Sequence, residues 1–323
     1  MNKRNYCKDV LFGIAVGDAL GVPVEFLSRE EIRKKPIISM RGYGTHEQPV
    51  GTWSDDSSLA FCLAESLCTG YDLKDLANRF VNWKEHAYWT PHGKVFDIGF
   101  ATSQAIWNLK NRTSPLLAGG SDEQSNGNGS LMRILPLVFY LQDKNINERF
   151  NFVKEVSSLT HRHIRSIIGC FIYLEFALEL LKGNNKIETF INVSKSLDAF
   201  FDKENVCSDE ERFKFHRILS RPDSFYDLKP IYEYEENEIS SSGYVVHTLE
   251  ASMWCFLTTE NYKEAVLKAV NLGSDTDTTG AVTGGLSGLY YGYDSIPKEW
   301  IDILARKTDI EELALRLEKK FTL

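Results

Sequence analysis

Leu73-Lys74-Asp75-Leu76-Ala77-Asn78-Arg79-Phe80-Val81-Asn82-Trp83-Lys84-Glu85-His86 is the stretch on which the fold class turns. Leu73, Leu76, Ala77, Phe80, Val81 and Trp83 return mostly to one side of an α-helical turn of about 3.6 residues. The same period runs through Phe100, Ala101, Ala105, Ile106 and Leu109, and through Ile167, Ile168, Phe171, Ile172, Leu174, Leu178 and Leu181. It continues in 245–257, 262–272, 281–291 and 310–321. Alternating apolar and polar residues are nearly absent, and Val95-Phe96 and Ile37-Ile38 are too brief to build a sheet. The pattern predicts an all-α protein with many helices of ordinary globular length. No repeat period or low-complexity linker divides the chain, so residues 1–323 are expected to form a single domain.

Composition narrows the class further. The chain has 323 residues, 43% hydrophobic and 25% charged, which supports a sizeable core and excludes global disorder. The net charge of −8 argues against an unmodified nucleic-acid duplex as partner, since that surface needs clustered Lys and Arg. The cysteines, Cys7, Cys62, Cys68, Cys170, Cys207 and Cys255, are scattered without a C-x-x-C pair, which fits reduced thiols and a cytoplasmic location. The opening MNKRNYCKDVLFGIAVGDALG mimics a signal peptide, but Asp18 breaks the apolar run. The segment 167–181 is too short and, with Glu175 and Glu179, too charged to span a bilayer. A monomer with no membrane contact is expected.

Three connections are conspicuous. Residues 42–51 are glycine-rich, 117–129 form a long polar loop with Gly119, Gly120, Gly127 and Gly129, and 233–242 (EYEENEISSS) reads as an exposed excursion. Long loops in compact domains are often binding elements.

The chemistry concentrates in two acidic segments. One is Gly51-Thr52-Trp53-Ser54-Asp55-Asp56-Ser57-Ser58, and the other is Gly273-Ser274-Asp275-Thr276-Asp277-Thr278-Thr279-Gly280. Each places hydroxyls and paired carboxylates before a helical run. Ser, Thr and Asp also cap helices, which alone would account for either segment. Two carboxylates in one cap exceed what capping needs, and the pattern occurs twice. Ser54, Asp55, Asp56, Asp275, Asp277 and Thr278 are hard oxygen donors with no His or Cys among them, a set that suits Mg²⁺, or else Mn²⁺, rather than zinc. Two divalent ions would neutralise the four carboxylates. Asp275 and Asp277 do not share a helix face, so both reach one ion only in a turn or a first helical turn.

Two further segments stand beside these. In 11–26, Gly13, Gly17 and Gly21 lie four apart on one helical ridge, which reads as close helix packing, with Asp18 and Glu25 as the unusual neighbours. In Asn126-Gly127-Asn128-Gly129-Ser130-Leu131-Met132-Arg133, small residues before an expected helix start offer backbone N–H groups to phosphate, though a plain turn uses the same residues.

Together the blocks GDALGVPVEF, GTWSDDSS, FDIG, NGSLMR, LTH and GSDTDTTGAVTGGLSG, in this order, resemble the ADP-ribosylglycohydrolase family, over about Gly13 to Gly288. The resemblance implies an all-α fold with a dinuclear Mg²⁺ or Mn²⁺ centre in a central cleft, and removal of ADP-ribose from modified side chains or small ADP-ribosyl compounds. By motif it implies metal ligation by Ser54, Asp55, Asp56, Asp275, Asp277 and Thr278, with serine at 54 where the family has threonine. It implies catalytic roles for Asp55, Asp97 and Glu25, one of which would help deprotonate the water that attacks C1″. Substrate contacts are implied for Asn128, Gly129, Ser130 and Met132 around the diphosphate and proximal ribose, for His161 in the same cleft, and for Tyr244 near the adenine. The sequence departs from the family at His161-Arg162-His163, where members often have His-Pro or His-x-Asp, and this leaves the acceptor linkage open. The alternatives are a non-catalytic, immunity-type protein that neutralises an ADP-ribosylating toxin, and a metal-dependent phosphohydrolase.

Overall fold

The computed structural model describes residues 4–221 and 228–321. Its first helices are α1 (Tyr6–Gly21), α2 (Arg29–Lys34), α3 (Asp55–Leu67), α4 (Leu73–His86) and α5 (Phe100–Lys110). The middle of the chain forms α6 (Val138–Leu141), α7 (Ile146–Ser158), α8 (Ile164–Leu180), α9 (Lys186–Glu204), α10 (Asp209–Phe213) and α11 (His216–Leu219). The chain continues through α12 (Val245–Leu257), α13 (Tyr262–Val270), α14 (Thr276–Tyr291), α15 (Lys298–Ile303) and α16 (Lys307–Phe321). Among the described residues β pairing is limited to the isolated bridges Tyr43–Gln48, Gly120–His161 and Gly127–Tyr244, so the class is all-α as expected. No described helix is long and apolar enough to cross a membrane.

Apolar periodicity found α4, α5, α8, α12, α13, α14 and α16 and passed over α7 and α9, whose start signals are local. Each opens with a capping box, Asn145 with Glu148 and Asn185 with Glu188, in which side chain and backbone satisfy each other reciprocally.

The centre of the molecule is the antiparallel pair α1 and α14. The ridge Gly13, Gly17 and Gly21 meets a second ridge, Gly280, Gly284 and Gly288. A Cβ on Gly17 would lie 2.1 Å from the Gly280 carbonyl oxygen, and one on Gly13 2.4 Å from that of Gly284. At the end of the pair a Cβ on Gly21 would lie 2.3 Å from Asp277 Cα. The two backbones therefore touch, and any side chain would push them apart. Buried hydroxyls tie the pair to its neighbours. Tyr262 Oη donates to the Gly13 carbonyl at 2.8 Å, Tyr173 Oη to that of Val282 at 2.8 Å, and Thr276 Oγ1 to that of Gly21 at 2.8 Å. This packing delivers the end of α1, with Asp18, to the beginning of α14, with Asp275 and Asp277.

Candidate active site

The beginning of α3 reaches the same place through Asp18. Its Oδ1 accepts the Ser54 N–H at 2.9 Å, and its Oδ2 accepts the Ser57 N–H at 3.0 Å and the Ser57 hydroxyl at 2.5 Å. A fully buried carboxylate of α1 thus satisfies free donors at the first turn of α3. Ser54 is the N-cap, its hydroxyl accepting the Asp56 N–H at 3.3 Å. Thr278 Oγ1 donates to Asp56 Oδ1 at 3.2 Å and joins the two acidic helix starts. Asp275 is the residue before α14 and Asp277 lies in its first turn, the arrangement that the i, i+2 spacing requires. The Asp275 N–H bonds the Ser241 carbonyl at 3.0 Å. Ser241 belongs to the 233–242 excursion, which is largely exposed but pinned by Arg29, whose guanidinium donates to the carbonyls of Leu272, Glu236 and Ile239.

Asp55, Asp56 and Asp277, all buried, come together with the half-buried Asp275 and with Ser54 and Thr278. Among the described residues none of the four carboxylates, nor Asp18, has a Lys or Arg in ion-pair range. Asp275 Oδ1 and Asp277 Oδ2 are buried without a hydrogen-bond partner among the described residues. Carboxylate oxygens of Asp18, Asp56 and Asp277 lie within 4.8 Å of one another, and so do single ligand atoms of Glu25, His46, Asp97 and Asp277. Burial, and then repulsion among the acids, raises the carboxyls of Asp55, Asp56 and Asp277 well above the usual range. Such a group is unfavourable by itself and fits hard divalent cations, since unpaired buried oxygens are what a cation would satisfy.

Glu25, just after α1, stands beside this cluster, its carboxyl pushed up to about 10 by burial and then by Asp97. One residue here escaped sequence reasoning. His46 Nε2 bonds Glu25 Oε2 and lies 3.9 Å from Asp97 Oδ1, so a histidine stands beside the acids although none lies among the six expected ligands. Its only signal was membership of the glycine-rich 42–51 loop. Thr45 Oγ1 in the same loop donates to the Glu25 carbonyl at 2.7 Å. The next residue, Phe26, has φ 65° and pairs through its N–H with the Ser274 carbonyl, while the Ser274 N–H returns to Leu27, both at 2.7 Å. Backbone strain and two-way pairing thus fix Glu25 relative to Asp275.

A cleft of about 230 Å³ opens from these acids, lined by Glu25, Asp55, Asp97, Thr102, Asn128, Gly129, Met132, His161, Asp275 and Thr278 among others. Asn128 Nδ2 donates to Asp275 Oδ2 at 2.7 Å and to Thr248 Oγ1 at 2.9 Å, which links the glycine loop to the acids. The helix expected after Gly129 does not form. The chain turns as far as Ile134 and enters a short 3₁₀ segment, Leu135–Leu137, so free N–H groups there belong to turns. Ser130 does not bring its side chain to the cleft, because the hydroxyl is buried against Ser157 Oγ at 3.0 Å and Cys170 Sγ at 3.4 Å. The Tyr244 ring packs edge-on against His247 at 5.0 Å and lines a separate hollow of about 350 Å³, although its backbone bridges Gly127. Arg162 spends its donors on Gly119 O and Ser121 Oγ in the neighbouring loop.

Comparison with known proteins identifies the family. A model of the ADP-ribosylglycohydrolase family matches residues 1–323. The chain is similar to ADP-ribosylarginine hydrolase Tri1 of Serratia proteamaculans (strain 568), 33% identical over 314 residues, 96% of this chain and 78% of that protein. It is also similar to ADP-ribosyl-[dinitrogen reductase] glycohydrolase of Rhodospirillum rubrum, 26% identical over 306 residues, 93% of this chain and 90% of that protein. A solved structure described as an ADP-ribosylglycohydrolase-related protein complex superposes with a TM-score of 0.78 at 30% identity, covering 98% of both chains.

Proposed function

Since the chain belongs to the ADP-ribosylglycohydrolase family and is a hydrolase that removes ADP-ribose, we propose that the bond it cleaves joins C1″ of the ribose to an arginine side chain of a modified protein. The observation that carries this reading is the acidic wall of the cleft. Glu25 and Asp97 line the cleft beside the acids with no Lys or Arg in ion-pair range among the described residues, and once divalent ions draw off their protons this acidic pair suits a departing guanidinium. The relative in Serratia proteamaculans is named for that linkage.

In this reading Ser54, Asp55, Asp56, Asp275, Asp277 and Thr278 hold two divalent ions, Mg²⁺ ahead of Mn²⁺. Such ions, when bound, supply charge neutralisation and a lower pKa for water. The rest falls to the chain itself. With the ions holding these acids ionised, Asp97, Glu25 or Asp55 would accept the proton of the attacking water, and the acidic surroundings favour the positive charge that builds on the ribose in an oxocarbenium-like transition state. Asn128 keeps Asp275 oriented, while Gly129, Met132 and the backbone of Ser130 flank the diphosphate and ribose. Nothing in the site favours the non-catalytic alternative, whose usual mark would be loss of these acids. The chain acts as one domain and a monomer; the six unpaired cysteines support a reducing compartment.

The test is a panel of mono-ADP-ribosylated substrates of defined linkage, assayed for free ADP-ribose. Arginine-linked substrate should be cleaved with Mg²⁺ present and lose nearly all turnover in EDTA. Undiminished turnover in EDTA would sink the metal assignment, and preference for serine-linked or ester-linked substrate would sink the linkage.

A further inference from the structure

Arg133 is a fully buried cation that the chemistry above does not use. Among the described residues it has no carboxylate partner. Its guanidinium lies over the Phe80 ring at 4.7 Å, and one nitrogen donates to the Val156 carbonyl at 3.1 Å and to Thr160 Oγ1 at 2.8 Å. Its Nε and other terminal nitrogen have no hydrogen-bond partner among the described residues. A lone desolvated guanidinium is expensive to keep unless it is hydrogen-bonded. Its one polar side-chain contact, Thr160, sits directly behind the cleft.

Thr160 is fully buried and its Oγ1 lies 2.9 Å from His161 Nδ1. A guanidinium only donates, so Thr160 Oγ1 accepts from Arg133. The hydroxyl proton then has one acceptor within reach among the described residues, His161 Nδ1. With Nδ1 accepting, the ring proton resides on Nε2. That edge of the ring faces the glycine loop. A Cβ on Gly129 would lie 2.7 Å from His161 Cε1, and one on Gly127 3.4 Å from Nε2. The backbone is held as well, since His161 N–H bonds the Ser157 carbonyl and Ser157 Oγ donates to the His161 carbonyl, both at 2.8 Å.

We infer that Arg133 and Thr160 are positioning residues that fix His161 as the Nε2–H tautomer, aimed into the cleft to donate to a phosphate oxygen of the ADP-ribosyl group. The identity of the acceptor rests on the proposal that the Asn128–Met132 loop flanks the diphosphate, whereas the tautomer does not. Burial, and then the Arg133 charge, hold the imidazole down at about 3, which keeps it from becoming a double donor. The turn N–H groups and one imidazole N–H would then bind the anion without a cation on this wall.

The experiment is nitrogen NMR of the full chain with labelled histidine, together with ADP-ribose binding by calorimetry in Mg²⁺. In the wild type the ring signals lost on His161→Gln should be those of an Nε2–H imidazole. Thr160→Val keeps the shape and removes the hydroxyl, so ADP-ribose affinity should fall about tenfold, with Thr160→Ser within about twofold of wild type. Arg133→Met frees the hydroxyl to accept, and a second, Nδ1–H set of signals should appear. An Nδ1–H or doubly protonated His161 in the wild type would overturn the inference. So would a Thr160→Val protein, folded by circular dichroism, that binds ADP-ribose as tightly as wild type. If that variant does not fold, the wild-type ring signals decide alone. If the wild type binds no ADP-ribose, the diphosphate reading falls while the ring signals still decide the tautomer.

Discussion

The two acidic helix starts read alike in sequence and are built differently. At α3, Ser54 caps the helix and Asp18 from α1 braces its first turn. At α14 the capping position is held by Asp275, whose side chain makes no cap hydrogen bond and turns instead toward Asn128. The Thr278 N–H is served by Asp277 Oδ1 at 2.9 Å, and the Asp275 N–H by the Ser241 carbonyl rather than by a capping side chain. The start of α14 therefore forgoes part of its capping and leaves Asp275 Oδ1 and Asp277 Oδ2 unpartnered. Cap and ligand motifs use the same residue types. What separates them is whether a carboxylate oxygen turns back on its own helix or outward to a neighbour.

The largest expected effect comes from the shared acid. Asp277 belongs to both groups of close ligand atoms, so Asp277→Ala should reduce release of ADP-ribose about a thousandfold or more, the scale of several kcal/mol of lost stabilisation. Turnover within about tenfold of wild type would remove the distinction between the two helix starts.

Stability against pH is the next test. Asp55, Asp56, Asp277 and Glu25 have folded-state pKa values above their unfolded ones, so the metal-free fold binds more protons than the unfolded chain. Their contribution is complete below about pH 4, the ordinary carboxylate range, and is lost as pH rises toward the raised values. In EDTA the urea midpoint should fall between about pH 5 and 8, and saturating Mg²⁺ should flatten that fall. A metal-free midpoint that is flat or rising over that window in wild type, and identical in Asp277→Asn, would contradict the unfavourable buried cluster.

The parts of the fold legible in sequence were those with a local cause. The 3.6-residue period reported the buried helices, and the ridge of Gly13, Gly17 and Gly21 reported close packing, because both are patterns along one element. The partner of that ridge, Gly280, Gly284 and Gly288, lies most of the chain away, and no local signal pairs them. The site divides the same way. The ligand types at 54–56 and 275–278 were readable, whereas Asp18 as the brace of α3 and His46 as the neighbour of Glu25 depend on contacts between distant segments. The inward turn of the Ser130 hydroxyl depends on Ser157 and Cys170 behind it, which no loop motif announces.

The packing that joins the two helix starts gives a smaller effect. Gly17→Ala would set its Cβ 2.1 Å from a backbone oxygen that cannot swing aside, so about 1–3 kcal/mol of stability should be lost. Gly99→Ala, with open space around its Cβ, should change stability by at most about 0.5 kcal/mol. Equal urea midpoints for the two variants would deny that α1 and α14 touch backbone to backbone.

The finest separation compares the capping positions themselves. Ser54→Ala removes a side chain that accepts the Asp56 N–H, so α3 should lose about 1 kcal/mol. Asp275→Asn removes no cap hydrogen bond and keeps the shape, so stability measured in EDTA should hold or rise as one buried charge disappears. Activity should respond in the opposite order, with Asp275→Asn the more damaging. Unfolding in EDTA and turnover in Mg²⁺, measured on both variants, give four numbers. If the variant with the larger loss of stability is also the one with the larger loss of turnover, capping and ligation are not divided between the two helices as their hydrogen bonds indicate.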